Sequence, residues 1–308
     1  MDNSSYKVEK SNSNNIHFLV QLFKETRNIQ FKTEYFKQKN EINFLPSYCS
    51  FFAVDTNGKP CAHCGSYASE VLINNKKVVA LQIADVITHP NHQRKGLFAV
   101  LLNAAEEHAK SLNIPLLFAV PNEQSEPGFV RSLLWRADHK LNVYFWNVST
   151  IPLLKMAHKL KLASLFRFFW VQPILSIFKY KNDLIGNDKN NRPLKSKEFI
   201  THKEFNNNFI VKYKGLIIYA KIEGVLTIGD LEDGLNKNAA EILKILNSFA
   251  RILGINEIRF EVSPLNYWNE IFNQIQTPQT GLTVVIKELI NKETEIHLSI
   301  TGGDIDVF

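Results

Sequence analysis

The sequence has little cysteine, no long apolar run and no apolar leader. Cys49, Cys61 and Cys64 are the three cysteines of 308 residues; so few predict no disulfide framework and a reducing compartment, the cytoplasm by default. The Cys61-x-x-Cys64 pair has no second pair of ligands nearby, so we predict no metal site. No run of about 18 apolar residues occurs, and the polar N-terminus predicts no secretory signal.

Acidic residues are absent from one stretch. Between Asp138 and Asp183 the chain has neither Asp nor Glu, whereas basic residues alternate there with leucine, phenylalanine and tryptophan. Such a basic amphipathic segment, strongest over 153–170, is typical of a helix on an anionic membrane and equally of a linker helix packed between two domains. We favour the linker over peripheral membrane contact.

The remaining composition is that of an ordinary globular protein. Hydrophobic residues make up 45% and charged residues 21% of the chain, and the length accommodates two domains. The net charge of +6 indicates an anionic partner, such as a phosphorylated cofactor, a nucleic acid or an acidic membrane surface.

Hydrophobic periodicity predicts an α/β fold. After a frayed leader of fifteen residues, we expect two helices, an antiparallel meander, and then a strand, helix and strand that form a right-handed crossover. The predicted helices are 17–28, 31–43, 97–112 and 128–135, and the predicted strands are 47–55, 61–73, 78–88, 116–120 and 141–148.

The last third repeats this order. Strands are predicted at 209–222, 225–228, 257–262, 283–289 and 296–300, and helices at 239–253 and 267–275. The segment 108–114 resembles 249–255, in each case shortly before a strand, which indicates a diverged duplication. The predicted division is therefore a first domain, 1–148, a basic helical linker, 149–198, and a degenerate second half, 199–308.

The passage 85–98 carries the chemistry. A strand runs there into a loop, and the loop opens directly into a helix. The first N–H groups of a helix have no intrahelical partner and lie at the positive end of its dipole, so they bind a pyrophosphate well. Gly96 permits the close approach of a phosphate oxygen, and Arg94 and Lys95 add positive charge.

Gln93 and Gly96 match most of the Q/R-x-x-G-x-G/A signature of the GNAT superfamily of N-acetyltransferases, and Pro121-Asn122 resembles an element that follows it. The resemblance extends over roughly 15–148. It implies a mixed central sheet flanked by helices, in which two strands splay apart around the pantetheine of an acyl-coenzyme A. The cofactor-binding residues that it implies are Val86, Ile87, Thr88, Gln93, Arg94, Lys95, Gly96, Leu97, Phe98, Asn122 and Ser125. The ending Gly302–Phe308 resembles that of some two-part bacterial members.

Three residues depart from the family pattern. Phe98 replaces a small residue of the signature, Gln82 falls where a glutamate often serves as base, and Phe129 falls where a tyrosine often serves as acid. Asp85 is the candidate base in their place, with a pKa that burial is expected to raise. Tyr144 is the candidate acid.

The resemblance implies an enzyme that transfers an acetyl group from acetyl-CoA to the amine of a small molecule, such as an amino sugar or amino acid derivative, by direct attack in a ternary complex. No nucleic-acid partner is expected. The acidic turn 229–234 should repel a pyrophosphate, so only the first half is expected to bind coenzyme A. The alternatives are an aminoacyl-tRNA-dependent ligase built from two similar halves and a catalytically silent module that binds coenzyme A or a partner.

Overall fold

The computed structural model describes residues 5–184, 190–233, 237–289 and 295–305. The chain divides into two compact units, of which the first contains 1–139 and 282–297 and the second contains 140–281 and 298–308. This division differs from the predicted one, because a segment of the last third belongs to the first unit.

In its described residues the first unit is a sheet with three α-helices. Its strands are β1 (Tyr6–Lys10), β2 (Phe51–Asp55), β3 (Pro60–Ile73), β4 (Lys76–Thr88), β5 (Leu116–Ala119) and the part of β12 (Gln279–Glu288) that follows residue 281. Its helices are α1 (His17–Arg27), α2 (Thr33–Asn40) and α3 (Leu97–Ser111).

The strands of the first unit lie in the order β1-β2-β3-β4-β5-β12. Strands β1 to β4 are antiparallel, β5 is parallel to β4 after the crossover through α3, and β12 is antiparallel to β5, with Val285 opposite Ala119. The strand predicted at 283–289 therefore completes this sheet rather than one of the second half, since periodicity reports a strand but not its partner.

Helix α3 confirms the predicted amphipathic helix. It packs on the sheet through a face formed by Leu97, Leu101, Leu102, Ala105 and Ala109. Helices α1 and α2 bury a separate cluster that includes Leu22, Phe36 and Ile87. The expected leader is wrong for residues 6–10, which form β1 against β2.

The second unit repeats the topology. Its strands are the later part of β6 (Arg136–Asn147), β7 (Arg192–Pro193), β8 (Phe209–Tyr213), β9 (Leu216–Ile222), β10 (Leu226–Asp233) and β11 (Glu257–Val262). Its helices are α4 (Leu153–Lys159), α5 (Ala163–Phe166), α6 (Gln172–Phe178), α7 (Lys197–Lys203), α8 (Ala239–Ile252) and α9 (Tyr267–Asn273). Strands β8 to β10 are antiparallel, β11 is parallel to β10 after α8, and β6 is antiparallel to β11.

Each sheet thus consists of an antiparallel meander, a parallel strand after a crossover helix, and a last antiparallel strand that comes from the other half of the sequence. The first unit receives β12 and the second receives β6. Residues 296–300, predicted as a strand, lie outside the strands.

Two further expectations about the second unit are corrected. Helices α4 to α6 pack on its core through Leu154, Val171 and Leu175, rather than forming a linker. Residues 229–233 of the predicted acidic turn form the end of β10, which carries a bulge after Ile228. Gly234 lies outside the described residues. Asp230 is buried in an ion pair with Lys195 at 2.8 Å, so its charge is compensated.

Candidate active site

Strands β4 and β5 separate beyond a short paired region. They pair only from Leu81–Ile83 to Leu117–Ala119, and β4 then continues to Thr88 whereas β5 ends. A cavity of about 230 Å³ lies where they part. It is lined by Arg27, Val86, Thr88, Phe98, Asn122, Gln124, Ser125 and Gly128. Five of the predicted cofactor-binding residues are among these.

A β-bulge shapes the β4 wall of this cleft. Asp85 and Val86 together oppose Cys64 on β3, and Asp85 has a φ of 46°. A bulge leaves backbone groups outside the ladder and re-aims side chains, and such a φ is uncommon for a residue other than glycine. The opposite strand must carry a glycine, because a Cβ on Gly65 would lie 2.6 Å from the carbonyl oxygen of Ala84.

Buried polar contacts hold the bulge. The Asp85 carboxylate accepts hydrogen bonds from Lys39 Nζ at 2.6 Å and from the Tyr67 hydroxyl at 2.5 Å. His63 Nδ1 donates to the carbonyl oxygen of Asp85 at 2.8 Å, which fixes the tautomer of that ring. Side chains from α2 and β3 thus fix the strained residue.

These contacts reverse the direction of the pKa shift that was expected for Asp85. Burial alone raises the pKa of this carboxyl, but the charge of Lys39 and the hydrogen bonds from Lys39 and Tyr67 outweigh it and hold the pKa below its ordinary value. The expectation of a raised pKa is therefore wrong. An ion-paired carboxylate with a lowered pKa is a weak base near neutral pH.

The loop after β4 presents backbone and positive charge at the start of α3. Gly96, with a φ of 78°, is the N-cap residue, and among the described residues no side chain caps the helix. Arg94 also has a positive φ, and the side chains of Arg94 and Lys95 are exposed. The uncapped N–H groups and two cations form an arrangement that suits an anion.

Phe98 forms one wall of the cavity and explains Gly128. A Cβ on Gly128 would lie 2.8 Å from Phe98 Cε1, so these two positions are sterically matched. The Phe98 ring packs edge-on against Phe129 at 5.2 Å between centroids, and Phe129 packs against Trp135. Phe129, at the position where the family often has a tyrosine, is a core residue here.

The loop after β5 is ordered by Asn122. Its Oδ1 accepts hydrogen bonds from the backbone N–H of Gln124 at 3.1 Å and from the N–H and hydroxyl of Ser125, both at 3.0 Å. This turn places neutral polar side chains along the cavity.

The structure does not bring every predicted residue to the cavity. The side chain of Ile87 is buried in the cluster of α1 and α2, because alternate residues of a strand point to opposite faces. Leu97 is buried in the core beneath α3. Gln93, Arg94, Lys95 and Gly96 lie in the loop before α3 and do not line the cavity.

Tyr144 lies in the core of the second unit and not in the lining of this cavity, which corrects its prediction as the acid. Its hydroxyl contacts Asn269 Oδ1 at 2.9 Å and Asn273 Oδ1 at 2.8 Å. Burial raises the pKa of Tyr144 to about 12, and the residue packs as an ordinary core aromatic.

Sequence reasoning missed Arg27, Lys39 and Tyr67. Arg27 ends α1 and lines the cavity, whereas Lys39 and Tyr67 bind Asp85. No local pattern marks them, since each is brought to the site by a long-range contact. The buried Gln82 stands where a glutamate was expected, between Tyr67 on β3 and Phe118 on β5.

Comparisons with known proteins agree with this geometry. The family profile described as an acetyltransferase (GNAT) domain matches residues 8–137. A search of curated proteins finds no match by sequence.

Solved structures share the fold at low identity. A GCN5-related N-acetyltransferase from Anabaena variabilis is 12% identical with a TM-score of 0.57, over 92% of this chain and 73% of its own. One from Kribbella flavida is 10% identical with a TM-score of 0.57, over 92% and 71%. The N-myristoyltransferase of Saccharomyces cerevisiae, solved with bound myristoyl-CoA, is 9% identical with a TM-score of 0.58, over 94% and 84%.

The splayed strands, the bulge and the glycine at the start of α3 coincide with the matched region. Residues 8–137 match a GNAT acetyltransferase domain, and this match indicates a transferase.

Proposed function

We propose that the chain binds acetyl-CoA in the cleft between β4 and β5 and transfers its acetyl group to the amine of a small molecule. The observation that carries this proposal is the separation of β4 from β5 next to an uncapped helix N-terminus. The uncapped N-terminus of α3 suits a pyrophosphate. The gap between the two strands suits an extended pantetheine arm.

The loop before α3 supplies the phosphate contacts in this proposal. Backbone N–H groups from Gly96 to Phe98 point out of the first turn of α3, and Arg94 and Lys95 add charge-assisted donors. Gln93 is exposed beside them. Arg27, on the cavity wall, is a further cation within the same unit.

The free edge of β4 suits the pantetheine arm. Beyond Ile83 this strand has no β5 partner, so backbone groups of Val86, Ile87 and Thr88 are available to pair with the amides of the arm as an added strand would. Asn122 and Ser125 lie along the cavity from the other side. The cofactor supplies the acyl group as a thioester.

Positioning is the main contribution that we assign to the protein. Placing an amine next to a thioester makes a two-substrate encounter effectively unimolecular, and this effect requires no strong base. Because Asp85 is held as an anion by Lys39, we assign it to holding the bulge rather than to accepting the proton. The amine nitrogen would bond to the acetyl carbon as the C–S bond breaks. The amine would lose its proton to solvent or to a group on the acceptor itself, and coenzyme A would leave as a thiolate that takes up a proton from solvent.

Neutral polar groups along the cavity suit a polar acceptor. Asn122, Gln124 and Ser125 carry no charge and line the cavity, so they suit an amino sugar or an amino acid derivative. The three cysteines are free and buried, which fits the reducing cytoplasm.

An acceptor screen tests this proposal. Thiol release from acetyl-CoA is measured over a panel of amino sugars and amino acid derivatives, with aminoacyl-tRNA as a separate arm. We expect release that depends on a small amine, and Asp85→Asn to leave the pH dependence of kcat/KM unchanged between pH 6 and pH 9. Transfer that requires aminoacyl-tRNA, or binding of acetyl-CoA without turnover on any amine, contradicts it.

A further inference from the structure

The helical segment 151–178 of the second unit exposes many apolar side chains. More than half of the large hydrophobic residues that are exposed in the described part of the chain lie in this segment. The most exposed are Ile177 at 75%, Phe169 at 71% and Phe168 at 68%. The others are Ile151, Met156, Leu160, Leu162, Leu165 and Trp170.

The run from α5 through α6 is apolar on two faces. One face, with Val171 and Leu175, is buried in the core of the second unit. The other face carries Phe168, Phe169 and Ile177, and the two phenylalanine rings contact each other edge-on at 4.9 Å between centroids. Large apolar side chains that are clustered and exposed in this way mark an interaction surface, so they indicate a partner.

The charges on this segment identify the class of partner. Exposed Lys159 and Lys161 alternate with exposed Leu160 and Leu162, and the sequence has no acidic residue from 139 to 182. Within the described ranges, Lys155 pairs with Glu257 and Lys179 with Glu204, but no carboxylate pairs with Lys159 or Lys161. An apolar surface bordered by unpaired lysines is complementary to a bilayer with anionic headgroups.

We propose that segment 151–178 lies on the surface of an anionic lipid bilayer. Phe168 and Phe169 enter the boundary between headgroups and acyl chains, and Lys159 and Lys161 contact lipid phosphates. The contact is peripheral, because no helix among the described residues has the length and apolarity to cross a bilayer. This inference does not depend on the proposed acetyl transfer.

Vesicle co-sedimentation of the full chain tests the proposal. Neutral phosphatidylcholine vesicles are compared with vesicles that contain about one third phosphatidylglycerol, and we expect at least about tenfold tighter binding to the anionic vesicles, weakened by salt. Phe169→Ser and the double variant Lys159→Gln/Lys161→Gln should each reduce this binding by about tenfold. Leu134→Ser, at a residue 78% exposed in the first unit, and Lys76→Gln/Lys77→Gln, at the exposed start of β4, are matched controls that should bind normally.

Trp170 gives a second measurement. It is 47% exposed, whereas Trp135, Trp146 and Trp268 are 2%, 8% and 1% exposed. Brominated lipid should therefore quench the fluorescence of Trp170 in the bound protein, and this quenching should be absent in Trp170→Phe. Equal binding to both vesicle types, loss of binding in the controls alone, or no quenching overturns the proposal. A soluble dimer that Phe169→Ser dissociates, without vesicle binding by the wild type, would assign the face to a second copy of the chain instead.

Discussion

The ring of Phe98 fills the space in front of Gly128. A Cβ on residue 128 would lie 2.8 Å from Phe98 Cε1 and 3.1 Å from Cζ, so a bulky residue at one position requires glycine at the other. The family signature has a small residue at position 98, where this chain has Phe98 packed against Gly128. Both residues border the cavity between β4 and β5.

Gly128→Ala should destabilise the first unit by about 1–3 kcal/mol, because the added methyl group overpacks against the Phe98 ring. Phe98→Leu/Gly128→Ala should recover part of that loss, since leucine can move away from the new Cβ. Denaturant unfolding of the four proteins of this cycle gives the coupling. Additive changes in the free energy of unfolding contradict the steric pairing.

Lys39→Met should be among the most destabilising substitutions in the first unit. It leaves the Asp85 carboxylate, whose side chain is 12% exposed, without its cation, and breaking a buried ion pair from one side costs about 3–5 kcal/mol. Lys39→Met/Asp85→Asn should be more stable than Lys39→Met alone. Equal stability of the single and double variants, measured by urea unfolding, would show that the pair does not matter.

His63 makes the first unit less stable in mild acid. Burial lowers the pKa of His63 to about 4. As the pH falls below about 6.5, the unfolded chain takes up a proton that the folded chain refuses until about pH 4, so the free energy of unfolding falls across this window by up to about 3 kcal/mol.

His63→Gln should remove most of this dependence, whereas His17→Gln, at an exposed position, should leave it intact. Burial also lowers the pKa of His92 and His108, so a smaller dependence in the same direction should persist. The measurement is urea unfolding at a series of pH values. Parallel curves for wild type and His63→Gln are incompatible with this account.

A buried ionic group joins three segments of the second unit. Lys195 Nζ lies 2.8 Å from Asp230 Oδ2 and 2.6 Å from Asp304 Oδ1. Lys195→Met leaves two buried carboxylates facing each other, and we expect a loss of about 3–5 kcal/mol in the free energy of unfolding.

Lys195→Met/Asp304→Asn should recover part of the loss by removing one of these charges, while Lys197→Met, at an exposed position two residues away, should have little effect. Thermal unfolding followed by circular dichroism distinguishes these variants. A Lys195→Met protein as stable as Lys197→Met would contradict the role of this group.

The local elements of the fold are largely predictable from the sequence, and their partners are not. Periodicity locates α3, α8 and β11 within a residue or two, because each buries a regular apolar face. It cannot show that β12 completes the first sheet and β6 the second, since strand pairing depends on contacts far apart in the chain.

The same limit applies to the candidate site. The loop around Gly96 has a local pattern, and the motif identifies it. Lys39 and Asp85 meet across 46 residues of sequence, so the ion pair that lowers the pKa of Asp85 leaves no mark in either segment. In the sequence, Asp230 and Asp304 likewise show no relation to each other. Only the structure shows that both form ion pairs with Lys195.

Calorimetric titration with coenzyme A determines whether the loop before α3 binds the cofactor's phosphates. We expect binding at one site, weakened at least about tenfold in Arg94→Gln/Lys95→Gln through lost charge-assisted contacts to phosphate, and unchanged in Lys76→Gln/Lys77→Gln. No binding of any coenzyme A species by folded protein, or equal affinity in both double variants, would contradict it.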